Sequence, residues 1–149
     1  MPALKFQNAS SVEYQTLVPI RWSDQDINRH VNNATVVTLI EESRIQWLNK
    51  DAAEVGITTF DCPKVVVDLN VQYQLPVSAN AELSIRISTE RIGNTSFVLR
   101  YRGIQAGEEV FQARTVLVML DEETEKPRGI SFEERAYLSE YLSEGDSKS

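Results

Sequence analysis

The hydrophobic pattern changes period along the chain, and the changes mark out its elements. Over residues 14–22, Leu17, Val18, Ile20 and Trp22 make a β-rich run that predicts a strand. From about 33 to 49 the spacing is helical. Val36, Val37, Leu39, Ile40, Ile45, Trp47 and Leu48 cover more than a narrow stripe, so this helix should be packed on most sides, with Asn32 or Asn33 as its N-cap. Gly56 and Pro63 punctuate the connection that follows. The period then falls to two. Val65, Val67, Leu69, Val71 and Tyr73 alternate with Val66, Asp68, Asn70 and Gln72, which predicts a strand with one face in the core. Leu83, Ile85 and Ile87 alternate with Ser84, Arg86 and Ser88 in the next. Gly93-Asn94 turns the chain into a strand over 97–104, and Gly107 turns it into a last strand over 110–120. Ser131 with Glu134 three residues later predicts a capped short helix reaching about 142.

One strand, one long apolar helix and four antiparallel strands leave few ways to bury both surfaces. A curved antiparallel five-stranded sheet wrapped around the single helix, with a short C-terminal helix, satisfies the helix and the sheet together, an α+β arrangement in one domain over 1–149. Residues 1–12 read as a polar lead-in and 145–149 as a disordered tail. One helix cannot hide every strand edge, so pairing between copies is expected.

Composition narrows the classes. A chain of 149 residues, 42% hydrophobic and 25% charged, has the size and balance of one soluble globular domain. Its one cysteine, Cys62, can form no internal disulfide, and no cysteine pair offers a zinc site, so neither metal nor cofactor is called for. The net charge of −7 argues against nucleic-acid binding, which runs on a Lys/Arg surface. No run of apolar residues is long enough to span a bilayer, which predicts no membrane insertion and a cytoplasmic protein.

The chemistry is concentrated in one stretch, Arg-Trp-Ser-Asp-Gln-Asp-Ile-Asn-Arg-His-Val-Asn-Asn, from Arg21 to Asn33. It holds Asp24, Asp26, Asn28, Asn32, Asn33 and the lone histidine, His30, directly before the long helix. The first-turn N–H groups of a helix lack partners and favour negative charge, so a strand-to-helix junction of this composition suits an anionic intermediate. Backbone N–H groups at Val31, Asn32 and Asn33 are candidates for the oxyanion contacts.

This stretch, with Glu41-Glu42-Ser43-Arg44 behind it, resembles the hotdog-fold acyl thioesterases, the 4-hydroxybenzoyl-CoA thioesterase type and the acyl-ACP thioesterases. Arg91 to Phe97 and Ala113 to Val116 are also similar to that family's later strands, so the resemblance spans roughly 14–128. Val36 stands where many relatives carry an aromatic residue, which bears on the shape of the acyl pocket. The resemblance implies a hotdog fold, a homodimer or homotetramer, a site at the subunit interface and hydrolysis of an acyl-CoA or acyl-ACP thioester. It places Asp26 at the catalytic aspartate, as nucleophile or as base for water, and Asn28 and His30 at polar active-site positions. Asp24 reads as a loop-fixing carboxylate.

Glu41 lies slightly more than two helical turns past Asn33, on nearly the same face. One branch of the family carries its carboxylate at about that depth, which makes Glu41 the rival to Asp26. Its structural alternative is a buried partner for Arg44. Thr95 and Ser96 are candidates to line the thioester pocket, and Arg86, Arg91, Arg100, Arg102 and Arg114 to meet coenzyme A phosphates. Two other functions fit the same fold: a dehydratase or hydratase acting on a thioester-linked chain, and a non-catalytic acyl-thioester binder.

Overall fold

A computed structural model describes residues 12–143. Five strands form one sheet in which every neighbouring pair is antiparallel. In chain order they are β1 (Tyr14–Val18), β2 (Lys64–Tyr73), β3 (Leu83–Ile92), β4 (Ser96–Gln105) and β5 (Glu108–Met119). Their spatial order is β1-β3-β4-β5-β2, so β1 and β2 are the edges. Helix α1 (Asn33–Ile45) runs on through a π-helical segment (Gln46–Asp51) into α2 (Ala52–Glu54), and α3 (Phe132–Ser139) closes the described chain. This is the antiparallel sheet with one long helix that the hydrophobic pattern implied, and the hotdog architecture that the resemblance implied.

The first strand is shorter than its apolar run. Pro19 cannot donate to a ladder, and the chain turns at Trp22–Asp24, where the Asp24 carboxylate accepts the Arg21 N–H at 2.8 Å. The helix, by contrast, outruns its expected end at Asn49. Trp47, Leu48 and Ala52 are all buried and carry the helical path past the polar Asn49, Lys50 and Asp51. Gly56, at φ +92°, then stops it. The N–H groups of Gly56 and Ile57 return to the Ala53 and Ala52 carbonyls at 3.0 and 2.9 Å, a Schellman ending that needs a left-handed residue.

Alternation assigns the two sheet faces. Ile85, Ile87, Leu99, Tyr101, Phe111 and Leu117 point inward and are buried with Ile40, Leu48 and Trp47 of the helical layer. Trp47 stacks on Tyr14 at 5.7 Å and meets Tyr141 edge-on at 5.1 Å, while Tyr137 of α3 lies against it at 5.9 Å. Thus α3 locks the C-terminal end of the long helix to the sheet. A bonded clasp seats α3. Arg128 donates to both Glu134 carboxylate oxygens, at 3.1 and 2.9 Å, and also to the Thr59 carbonyl at 3.1 Å. Glu134 is fully buried and completes a capping box with Ser131.

The inner face has one tight spot. A Cβ built at Gly103 would lie 2.3 Å from the Phe111 ring directly across the ladder. Gly103→Ala should therefore force Phe111 out of place and cost ~1–3 kcal/mol. A denaturant melt checks this, and an unchanged midpoint would show that the ring has room to move.

β2 departs from its expected role. A bulge between Val66 and Asp68 resets the alternation, so Val66, Leu69, Val71 and Tyr73 face inward while Val65 faces out opposite Val118. The helical layer also lies toward the β1 side, leaving Val65, Val66, Val67, Leu69 and Tyr73 exposed on this edge. On the outer face, Arg100 and Arg114 converge on Glu90 at 2.8 and 2.9 Å, and Arg102 bridges Glu13 and Glu109.

Candidate active site at the mouth of the long helix

The loop ahead of α1 is held by its own polar groups. Asp26 Oδ1 accepts the N–H of Asn28 at 2.9 Å and of His30 at 3.4 Å, and the Asp26 N–H returns to the His30 carbonyl at 2.8 Å. Arg29, at φ +66°, makes the tight bend between them. Asn32 caps α1 by accepting the Ala34 N–H at 2.8 Å. Asp26 is half-buried, and no described group bonds its second carboxylate oxygen. Asp24 is buried and fixes the loop, as its position suggested.

This loop opens onto a cleft of about 340 Å³ lined by Asp26, His30, Val31, Asn33, Tyr73, Gln74, Leu75, Pro76 and Val77. The sequence reading missed the second half of that lining. Its signal was Pro76, which ends β2 and turns residues 74–77 across the loop. The Tyr73 hydroxyl donates to the Asn33 carbonyl at 2.9 Å and joins the strand end to the helix. Burial raises the Tyr73 phenol above its ordinary value, so it remains a neutral donor.

The three candidate oxyanion amides separate. The Val31 N–H is spent on the Val77 carbonyl at 2.8 Å, and the Asn32 N–H on the Asp24 carbonyl at 3.1 Å. Asn33 opens the helix, and its N–H has no acceptor among the described residues. Asp26, His30 and Asn33 therefore share the lining of one open cleft, and one Asp26 carboxylate oxygen and the Asn33 N–H are without a partner among the described residues.

Other candidates lie elsewhere. Asn28 is exposed and outside the cleft lining. Thr95 and Ser96 sit by Val118 and Met119, at the opposite end of β5 from the Phe111–Tyr73 pair. Seven strand residues separate the two ends, ~23 Å. Glu41 is exposed and does not pair with Arg44, whose Nη1 instead turns inward to the Tyr101 hydroxyl at 3.1 Å. Arg86, Arg100, Arg102 and Arg114 occupy the outer face, away from the cleft: Arg86 pairs with Arg102 and Arg100 with Arg114, and all four alternate with the inward-facing residues of β3, β4 and β5.

The family model of the thioesterase-like superfamily matches residues 20–137. The chain belongs to that superfamily and is a thioester hydrolase. It is 27% identical over 130 residues to the long-chain acyl-CoA thioesterase FadM of Escherichia coli K12, covering 86% of this chain and 98% of FadM. Among solved structures it is similar to a predicted thioesterase from Bacillus stearothermophilus, with a TM-score of 0.78 at 24% identity, covering 88% of this chain and 97% of that one. It is also similar to a thioesterase from Thermus thermophilus complexed with coenzyme A and Zn, with a TM-score of 0.69 at 25% identity, covering 83% and 90%. Among the described residues no helix is long and apolar enough to cross a membrane.

Proposed function

We propose that the protein hydrolyses acyl-CoA or acyl-ACP thioesters at the cleft between the Asp26 loop and the end of β2. The observation that carries this reading is that Asp26, His30 and Asn33, whose N–H is open, line one cleft. Asp26 uses its second oxygen either to attack the thioester carbonyl or to take the proton from an attacking water. The Asn33 N–H meets the developing oxyanion, and the His30 imidazole, exposed at the rim, serves the departing thiolate. Asn28 acts on this chemistry through the loop, its N–H holding the Asp26 carboxylate in place. Coenzyme A as the carrier is supported by the likeness to FadM.

The working unit in this reading is a homo-oligomer. β2 is an edge strand with Val65, Val66, Val67 and Leu69 exposed, and pairing it with a second copy would cover both its open ladder and its apolar face. Antiparallel β2–β2 pairing brings Thr95 and Ser96 of the partner subunit to the Tyr73 end, the end where the cleft lies. Val67→Lys should then shift the protein toward monomer in sedimentation velocity and lower hydrolysis in parallel. A charged edge that still sediments as the wild-type oligomer would refute the β2 interface.

Thiol release from a panel of acyl-CoAs, followed with a thiol reagent, tests the function itself. A dehydratase or hydratase would change the chain without releasing thiol, and a binder would do neither.

A further inference from the structure

Arg44 is a charge that the fold buries without an anion. It is only 9% exposed, yet among the described residues no carboxylate lies within ion-pair distance of it. Its single bonded nitrogen, Nη1, reaches the Tyr101 hydroxyl, which in turn meets Thr115 Oγ1 at 2.8 Å. A guanidinium carries five N–H donors in a rigid fork, so most of its capacity is unused. The unused nitrogens are not sealed in the core. Among the described residues the side-chain polar atoms both sealed and unpaired are Trp47 Nε1, Arg86 Nε and Thr89 Oγ1, and none belongs to Arg44.

Two anchors place this group relative to the cleft. At one end of α1 the Asn33 carbonyl accepts the Tyr73 hydroxyl; eleven residues on, Arg44 reaches the Tyr101 hydroxyl and, through it, Thr115. Thr115 is the ladder partner of Leu69, and Tyr73 and Leu69 lie on the same inward face of β2. The helix therefore runs beside the half-open apolar strip of Tyr73, Val71 and Leu69, with the cleft at one end and the guanidinium at the other. Four strand residues separate those ends, ~13 Å. Lys64, bonded to the Phe60 and Cys62 carbonyls, adds a second positive charge near Arg44.

Resting on the thioesterase reading above, we infer that Arg44, oriented by the buried Tyr101 and Thr115 hydroxyls, forms a polar terminus of the acyl groove. It takes a hydrogen-bond-accepting group, best a carboxylate, at the far end of the acyl chain. An apolar strip ending in an unpaired cation suits a chain that is apolar along its length and oxygenated at its tip. Burying such a cation is costly, and a bound anion offsets the cost.

The test uses two length-matched medium-chain CoA thioesters, one unsubstituted and one bearing a terminal carboxylate. Wild type should favour the carboxylate by about tenfold or more in kcat/KM, the worth of a charge-assisted hydrogen bond. Arg44→Met should bring that ratio close to one, and Thr115→Val, which leaves the cation in place, should lower it less. Should Arg44→Met not fold, Arg44→Lys reads the same ratio and should keep part of it. A wild type without preference, or a folded Arg44→Met that keeps it, overturns the inference while leaving the thioesterase reading intact. Dissociation of the oligomer in Arg44→Met overturns it as well, since the anion would then be a carboxylate of the partner subunit. Cleavage of neither thioester would sink both readings.

Discussion

Asp26→Asn should lower turnover by ~10²–10⁴, the range for a positioned acid/base group, with much less change in substrate binding. The loop itself gives the reason. Asp26 Oδ1 holds the N–H groups of Asn28 and His30, and an amide oxygen can accept both of those bonds. The loop should therefore keep its shape, and the thermal melt should stay close to wild type. What changes is the second oxygen, which becomes an NH₂ group able neither to attack a carbonyl nor to accept a proton. Asn28→Ala and His30→Ala should cost less, because the Asn33 N–H, which neither substitution touches, supplies the oxyanion contact. A fall in kcat with KM nearly constant is the expected signature. A variant that instead binds poorly and melts early would mark Asp26 as a loop staple only.

The largest effect on stability is expected at Arg128. Arg128→Met leaves the Glu134 carboxylate fully buried with its charge uncompensated, and breaking a buried pair from one side costs ~3 kcal/mol or more. For a chain of this size that lowers the melting temperature by roughly 6–12 °C. Adding Glu134→Gln should recover part of the loss, because no buried charge then remains. The pH dependence has a definite sign. Burial alone would raise the Glu134 carboxyl, but the bonds from Arg128, Thr59 and the Ser131 N–H outweigh it and hold it at about 2. A carboxyl depressed in the folded state stabilises fully above its unfolded value of 4.5, and that contribution is lost as pH falls toward about 2. Melts of wild type and Glu134→Gln should therefore converge over that acid window, and parallel curves would count against the clasp.

Much of this architecture can be read from the alternation of residues, and the exceptions have physical causes. Leu83, Ile85 and Ile87 announce β3 because one of its faces is fully covered. The same reasoning misjudges β2, whose bulge at Val67 resets the face and whose inner residues remain half-open beyond the reach of α1. The helix end is misread because Asn49, Lys50 and Asp51 break the apolar count, although Trp47 and Ala52 are what hold the segment down. At the site, Asp26, His30 and Asn33 are local in sequence and were legible as a group. Tyr73 and Arg44 were not: their contacts join residues 40 and 57 positions apart, and no periodicity encodes such a pairing. The distribution of the loop amides is equally hidden, since it depends on where the Val77 and Asp24 carbonyls fall.

Single-turnover thiol release from a medium-chain acyl-CoA, measured side by side for wild type, Asp26→Asn and Glu41→Gln with a melt of each, tests the central assignment most directly. The cleft geometry predicts that Asp26→Asn folds and is nearly inactive. It predicts that Glu41→Gln, altered at an exposed position outside the cleft lining, keeps most of its rate. An Asp26→Asn protein that cleaves at the wild-type rate, beside a folded but dead Glu41→Gln, would contradict the assignment and move the chemistry onto the helix.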